Sequence, residues 1–440
     1  MGVGSIQILS IGPQDFYLTG NPQITFFKSV FRRHTRFSSK TERIYFNGED
    51  PTFGSKNFTA SIKNEGDLLG DMFIRADITT TCSGSGSNRY TVNHFGNSLI
   101  KKVEFLIGKN VIDKHISPWF QLYDELNTTN YEQLVENSSH SNGGKEILLY
   151  STDKFTATQR IKGDLPLIFS GSDTYTKRLY IPLNFWFNKS PGMYLPMIAL
   201  YKHKLELNFD LEESGVLIGD STNLSSMSVD FQVYGNFISL DEDEKRKFSQ
   251  SNHEYIIEQV QMNNGETGVL TTSTEDVSGT ELSEITYDLN FLHPVKYITW
   301  AIVNKGTNGS NSGQGPSYFC SLTNNSNTGN DATLGTGELY IGGIEREINL
   351  KMSYFTRYQP MKFCNNIPSI DRIGFYSFAL NPLSNEPSGT CNFSKIKDNF
   401  LRLKFSNTTL SSIKGQTLYI FAVNYNVLLI TDGMGMIRYN

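Results

Sequence analysis

The chain has 440 residues, with 39 Lys and Arg against 44 Asp and Glu for a formal charge of −5. At roughly 100–200 residues per domain, this length predicts two or three domains. Charged residues reach only 19% and aromatics 12%, the opposite balance to a disordered chain, and the mild acidity excludes a protein whose main task is gripping nucleic acid.

From the amino end, Met1–Ile6 has neither a basic start nor an apolar run, so no secretory leader is expected, and Ile6 breaks the myristoylation pattern. Asp15, Thr19 and Asn21 suit a turn with side-chain-to-backbone bonds. Gly20 and Pro22 then punctuate the entry to a first strand expected over Ile24–Phe31. Beyond it, period-two alternation predicts strands over Val103–Ile107, Lys204–Phe209, Val229–Val233, Leu401–Phe405 and Leu418–Val423. Helical periodicity is confined to Ser117–Leu126 and the charged run Asp241–Phe248, the latter read as a solvated linker. The most apolar stretch, Leu179–Tyr201, is broken by Lys189 and three prolines, so no membrane span is expected. Residues 304–337 hold 24 Gly, Ser, Thr or Asn among 34 positions, which predicts a long surface loop, with a smaller one at Asn137–Gly144. Many short strands between turn signals indicate an all-β fold: tandem β-sandwiches of jelly-roll type with short helices and long surface loops.

An internal repeat fixes the number of sandwiches at two. At an offset of 196, Tyr180 meets Tyr376, Pro191 meets Pro387, and Leu205, Leu207 and Phe209 meet Leu401, Leu403 and Phe405. At a larger offset Ile107-Gly108 resembles Ile341-Gly342, and Trp119-Phe120 resembles Tyr354-Phe355. The shared order argues for one design used twice. The expected division is an arm over 1–24, a first sandwich over 25–240 and a second over 241–440.

Catalytic signals are missing. His253-Glu254 starts like a zincin motif, but position 257 is Ile where a second His is required. The seven histidines show no ligand spacing, and hydrogen-bonded neutral imidazoles are the expectation for each. The acidic run from Asp241 lacks the features of a calcium loop, and Gly433-Met-Gly435 lacks the third glycine of a dinucleotide motif. No catalytic residue, metal site or cofactor is therefore assigned. Cys82, Cys320, Cys364 and Cys391 form no close pair and are expected to be reduced thiols. Nine Asn-x-Ser/Thr sequons, at Asn57, Asn127, Asn137, Asn188, Asn223, Asn308, Asn324, Asn392 and Asn407, are expected to escape secretory glycosylation.

One basic cluster stands apart: Arg32, Arg33, His34 and Arg36 among Phe26, Phe27, Phe31 and Phe37. Basic and aromatic interleaving suits single-stranded nucleic acid. It equally suits a strand whose aromatics pack inward while its arginines pair with acidic groups of a neighbouring subunit. The acidic whole favours the interface.

The same segment, Gly12-Pro-Gln-Asp-Phe-Tyr-Leu-Thr-Gly-Asn-Pro-Gln-Ile-Thr-Phe-Phe-Lys-Ser-Val-Phe-Arg-Arg-His-Thr-Arg-Phe37, resembles the amino-terminal signature of the double jelly-roll major capsid proteins of nucleo-cytoplasmic large DNA viruses, of algal-virus type. The resemblance continues through His253–Gln259, Pro387–Ile396 and Asn424–Gly435, and so covers essentially the whole chain. It implies a building block rather than an enzyme. Three copies, each with two sandwiches, would form a pseudo-hexagonal capsomer that tiles an icosahedral shell, with long loops outward and the amino-terminal arm at the base. The implied partners are copies of the chain, neighbouring capsomers, minor capsid proteins and an underlying membrane, without direct nucleic-acid binding. The implied location is the virion, assembled in the host cytoplasm. Asp15, Tyr17, Asn21, Pro22, Phe26, Phe27, Arg32 and Arg33 are the candidate assembly residues. A carbohydrate-binding or glycan-active jelly roll is the rival reading, weakened by only three Trp (Trp119, Trp186, Trp300). A minor capsid or spike component of the same fold stays open.

Overall fold

The computed structural model describes residues 9, 12–29, 31–82, 89–92, 95–127, 168–169, 174–218, 224–263, 268–269, 283–303, 335–368, 373–405 and 417–439. The loop expected at 137–144, most of that at 304–337, Cys320, His94, His140 and the sequons at Asn137, Asn223, Asn308, Asn324 and Asn407 lie outside them.

Among the described residues, eight principal strands build the first sandwich: β1 (Phe37–Ile44), β2 (Phe58–Ile62), β3 (Leu68–Cys82), β4 (Ile100–Ile107), β5 (Asn110–Ile116), β6 (Thr174–Pro182), β7 (Leu205–Leu211) and β8 (Leu224–Leu240). One sheet runs β1-β8-β3-β6 and the other β2-β7-β4-β5. Eight more build the second: β9 (His253–Met262), β10 (Ser283–Asp288), β11 (Pro294–Val303), β12 (Gly335–Ile341), β13 (Ile344–Lys351), β14 (Ile373–Ser377), β15 (Phe400–Phe405) and β16 (Thr417–Thr431). Their sheets run β9-β16-β11-β14 and β10-β15-β12-β13. Adding eight to each strand number converts one topology into the other, and this order is that of a jelly roll used twice.

The local chemistry repeats as well. Between β4 and β5, Gly108 and Lys109 hold φ of 57° and 75°; between β12 and β13, Gly342 and Gly343 hold 65° and 71°. These are two-residue turns with both central residues left-handed, the form that matches strand twist, so the Ile-Gly similarity has a conformational cause. Leu205, Leu207 and Phe209 point into the first core, and Leu401 and Leu403 into the second. In both copies the link from sixth to seventh strand passes a proline turn and then touches the third strand, at Leu195–Pro196 on β3 and Cys391–Asn392 on β11. Tyr180 and Tyr376 do not correspond: Tyr180 is 41% exposed while Tyr376 lies in the core. With a period of two, a one-residue slip reverses the face, so that match was fortuitous.

The helices expected at Ser117–Leu126 and Asp241–Phe248 are α1 (Ser117–Asn127) and α2 (Glu242–Gln250). In the second sandwich, a wide π-type turn over Tyr354–Tyr358 runs into α3 (Gln359–Phe363). Two expectations need correction. Residues 335–337, assigned to the long loop on composition, open β12, because Gly337 gives its room to the Phe355 ring. Ile24–Phe31 is not the first strand. Phe26 and Phe27 form a turn, they and Phe31 are about nine-tenths exposed, and adjacent aromatics cannot share one face of a strand. The ladder begins at Phe37, and the chain divides into two compact units, Met1–Phe37 and Ser38–Asn440.

The second core closes on Trp300, fully buried, whose indole occupies the space beside Gly374. A Cβ on Gly374 would sit 2.1 Å from the ring. Gly374→Ala should therefore destabilise by about 1–3 kcal/mol, which is read as a fall in melting temperature of roughly 2–4 °C per kcal/mol. Gly192→Ala, which meets nothing within 4 Å, is the control, and its melting temperature should not change.

Candidate functional site: the junction between the sandwiches and the amino-terminal segment

The sequence of β11 dictates where the sandwiches meet. Most strands bury one face, but from Val295 to Val303 every residue of β11 is buried. Val295, Ile298, Trp300 and Ile302 enter the second core. Tyr297, Ala301 and Val303 point the other way, where they join Phe375, Phe421 and Val423 beneath Trp119, Leu122 and Leu126 of α1. Phe120, beside Trp119, faces back into the first core. The helix of one sandwich thus lies on the sheet of the other, and its aromatic pair belongs half to each. Asn366 donates from its backbone to the Leu126 carbonyl (3.1 Å) and from its side chain to that of Glu125 (2.9 Å), while Asn365 reaches Asn127 (3.1 Å). The second sandwich thereby satisfies the carbonyls left over at the end of α1.

Polar contacts fix the register of the junction. The Asp113 carboxylate in the middle of β5 accepts from the Val260 amide on β9 (3.1 Å), and Gln259 donates to the Ile112 carbonyl. Between the strands lies a buried charge triad. Glu258 of β9 receives Lys189 from the first sandwich at 2.6 Å and Lys296 from β11 on its other oxygen. The Lys296 side chain is 1% exposed, also donates to the Ser384 carbonyl (3.1 Å), and lies over the Tyr425 ring. Burial raises the Glu258 pKa, but the two ammonium groups outweigh it and hold the carboxyl below its ordinary value. Burial drives Lys296 down, and Glu258 only partly offsets this.

The carboxyl-terminal hairpin supplies the last contact. Asp432 and Gly433 (φ 51° and 82°) turn β16 back onto Met434–Ile437. Gly433 approaches the Tyr201 ring, its carbonyl accepts from Lys202 (3.0 Å), and the Gly435 amide donates to His203 Nδ1 (3.2 Å). The Gly-Met-Gly sequence is close packing between sandwiches rather than a phosphate loop. Among the described histidines, His203, His253 and His34 are each hydrogen-bonded to backbone, and His115 stacks on Phe185. Asn188 and Asn392 also use their side chains within the fold.

The amino-terminal segment carries the expected assembly residues. Asp15 is half-buried and its carboxylate accepts from the Gly12 amide (2.7 Å), while the Thr19 hydroxyl donates to the Asp15 carbonyl (2.8 Å). Asn21 is left-handed with φ of 50°. Asn21, Pro22, Phe26, Phe27, Arg32 and Arg33 are exposed, and the Tyr17 side chain lies outside the described residues. The aromatics do not pack inward as expected for a strand; they and the arginines face outward together. Sequence reading missed Lys189, Glu258 and Lys296. The available signal was a lysine inside the apolar run of β11.

Two family models together span nearly the whole chain: "Major capsid protein N-terminus" over residues 25–241 and "Large eukaryotic DNA virus major capsid protein" over 244–436. The major capsid protein of Pyramimonas orientalis virus is 35% identical over the full length of both chains, and that of Paramecium bursaria Chlorella virus 1 is 33% identical over the same extent. The chain belongs to the major capsid proteins of large eukaryotic DNA viruses. Among solved structures, the quasi-atomic model of the PBCV-1 virus capsid superposes with a TM-score of 0.71 at 30% identity, over 94% of this chain and 100% of that one. The Faustovirus major capsid protein shares the fold at 14% identity, with a TM-score of 0.62 over 96% of this chain and 94% of that one. In this capsid protein the site that matters is a surface for joining sandwiches, and the family is one of structural capsid proteins.

The triad makes the junction sensitive to charge. Glu258→Gln would leave two ammonium groups facing a neutral amide and should cost about 3–5 kcal/mol. Because the folded carboxyl binds its proton less readily than the unfolded one, its contribution is complete above the ordinary value of 4.5 and fades as pH falls through the lower folded value. Thermal melts between pH 6 and 3 test this: the wild-type melting temperature should fall more steeply below 4.5 than that of Glu258→Gln.

Proposed function

We propose that the chain is the principal shell subunit of an icosahedral virion and has no enzymatic task. Three copies around a threefold axis form a pseudo-hexagonal capsomer, with each copy supplying two of six corners. One observation carries this reading: a single chain holds two sandwiches of identical strand order, locked together by an apolar helix-on-sheet contact and a buried triad. A hexagonal tile needs six similar corners, and a doubled subunit meets that need with closed threefold symmetry. We divide the chain at α2, with the first jelly roll before it and the second after it, and Met1–Phe37 as an arm at the capsomer base. The exposed Phe26, Phe27, Arg32 and Arg33, with Asp15, Tyr17, Asn21 and Pro22 shaping the turn before them, serve as contacts for neighbouring capsomers and minor capsid proteins above an inner membrane. The genome is not a partner, in keeping with the −5 charge. Assembly takes place in the host cytoplasm.

Obligate contacts of this kind bury roughly 2,000–5,000 Å², so the trimer should survive dilution. Light scattering of the purified chain should give three times 49.6 kDa, and negative-stain images should show hexagonal outlines. A monomer that releases sugar from glycans would overturn the reading. Arg32→Ala with Arg33→Ala should reduce shell formation at least about tenfold, equivalent to 1.4 kcal/mol, with an unchanged melting temperature. Undiminished shells would remove the arm from the assembly contacts.

A further inference from the structure

We propose that Arg357, Tyr358, Met361 and Lys362 form the face by which one copy of the chain docks onto the outer surface of β3, β6 and β8 in the next copy. This rests on the trimer reading above and names the surfaces that build it. The internal repeat extends to the links between strands. In the first sandwich the link from fifth to sixth strand carries α1. Its Phe120 plugs the sandwich's own core, and Trp119, Leu122 and Leu126 cover the outer face of the second sandwich's β9-β16-β11-β14 sheet. In the second sandwich the same link carries Tyr354–Phe363, and Phe355 plugs the core in the same way, fully buried. Counting from the aromatic pair, Leu122, Tyr123 and Leu126 correspond to Arg357, Tyr358 and Met361. Of these, Tyr358 is 47% and Met361 59% exposed, and Arg357 and Lys362 are exposed beside them in the chain.

The matching sheet is open too. The first sandwich's β1-β8-β3-β6 sheet is the counterpart of the one that α1 covers. On its outer face Phe73 stacks on Tyr234 at 5.3 Å, with Tyr180 6.0 Å away and still 41% exposed. The molecule therefore carries one helix–sheet contact made and the two unmade halves of a second. Both unmade halves are more polar than the made one. Arg357 and Lys362 flank the helix face, and Arg75, Asp77 and Arg178 flank the aromatic ring cluster, where the internal contact uses Leu122, Ala301 and Val303. A surface that meets water before assembly requires that difference. The contact is heterologous, helix of one copy to sheet of the next, and such contacts close into rings when the rotation allows. With three copies, three internal and three intermolecular contacts alternate around the ring.

The test uses the full chain. Tyr358→Asp with Met361→Asp should raise the trimer dissociation constant by about 100-fold, as expected for the loss of central anchors. The melting temperature of the isolated subunit should change far less than the dissociation constant, since Met361 is 59% exposed and Tyr358, although stacked on Tyr354 at 5.5 Å, lies outside the buried core. In parallel, p-benzoylphenylalanine introduced at position 361 of the trimer should yield a covalent dimer on illumination, with the adduct in peptides spanning 73–82 or 174–182. A double variant that stays trimeric with wild-type affinity, or an adduct mapping elsewhere, overturns the docking face while the trimer stands. A wild-type chain that is monomeric overturns the trimer and this contact with it.

Discussion

Everything in the two-sandwich body depends on one sheet being buried on both of its faces. A jelly roll normally leaves its outer sheet surfaces to water, and its strands then alternate. β11 and β16 cannot alternate, because one face closes the second core around Trp300 and the other lies under α1. Fully buried strands are apolar on both sides, and that is what the run Tyr297–Val303 provides. Burying two faces fixes the second sandwich against the first without a linker having to be stiff, so α2 is free to be a charged surface helix that merely returns Lys245 to Asp67.

The buried triad is the exception within this apolar junction, and its position explains its form. Lys189, Glu258 and Lys296 come from the first sandwich, β9 and β11, so the charges converge only when the sandwiches are in register. An apolar contact tolerates sliding, whereas a carboxylate held between two ammonium groups does not, because any shift strands a buried charge. The Asp113–Val260 bond and the asparagine caps on α1 act in the same sense at lower cost. Hydrophobic area supplies the strength of the junction and the polar contacts select its geometry.

Much of this was legible in the sequence, for identifiable reasons. Strands with one buried face announce themselves by alternation, and Leu205–Leu211 and Phe400–Phe405 were found where they lie. The Ile-Gly pairs were informative because left-handed turns demand glycine at a fixed place. β11 was not read as a strand, since a continuous apolar run carries no period. Ile24–Phe31 was misread because aromatic density mimics β-propensity, although Phe26 and Phe27 are adjacent and so cannot share a face. The triad was invisible because its members are 69 and 38 residues apart in sequence. Only the fold brings them together.

Duplication alone would make the two sandwiches equal, and the chain instead shows them diverging where their roles differ. At the internal contact both surfaces are permanently covered, so nothing opposed their becoming apolar: Trp119, Leu122 and Leu126 on one side, Phe421 and Val423 on the other. At the equivalent surfaces that remain open, large apolar residues would make the free subunit aggregate, and arginine, lysine and aspartate rim the aromatics instead. The core-facing phenylalanine of each link shows no such divergence. Phe120 and Phe355 are both buried phenylalanines, because each faces the interior of its own sandwich. The pattern of which repeat positions stayed alike and which became polar is therefore itself a map of which surfaces the fold covers and which it leaves to solvent.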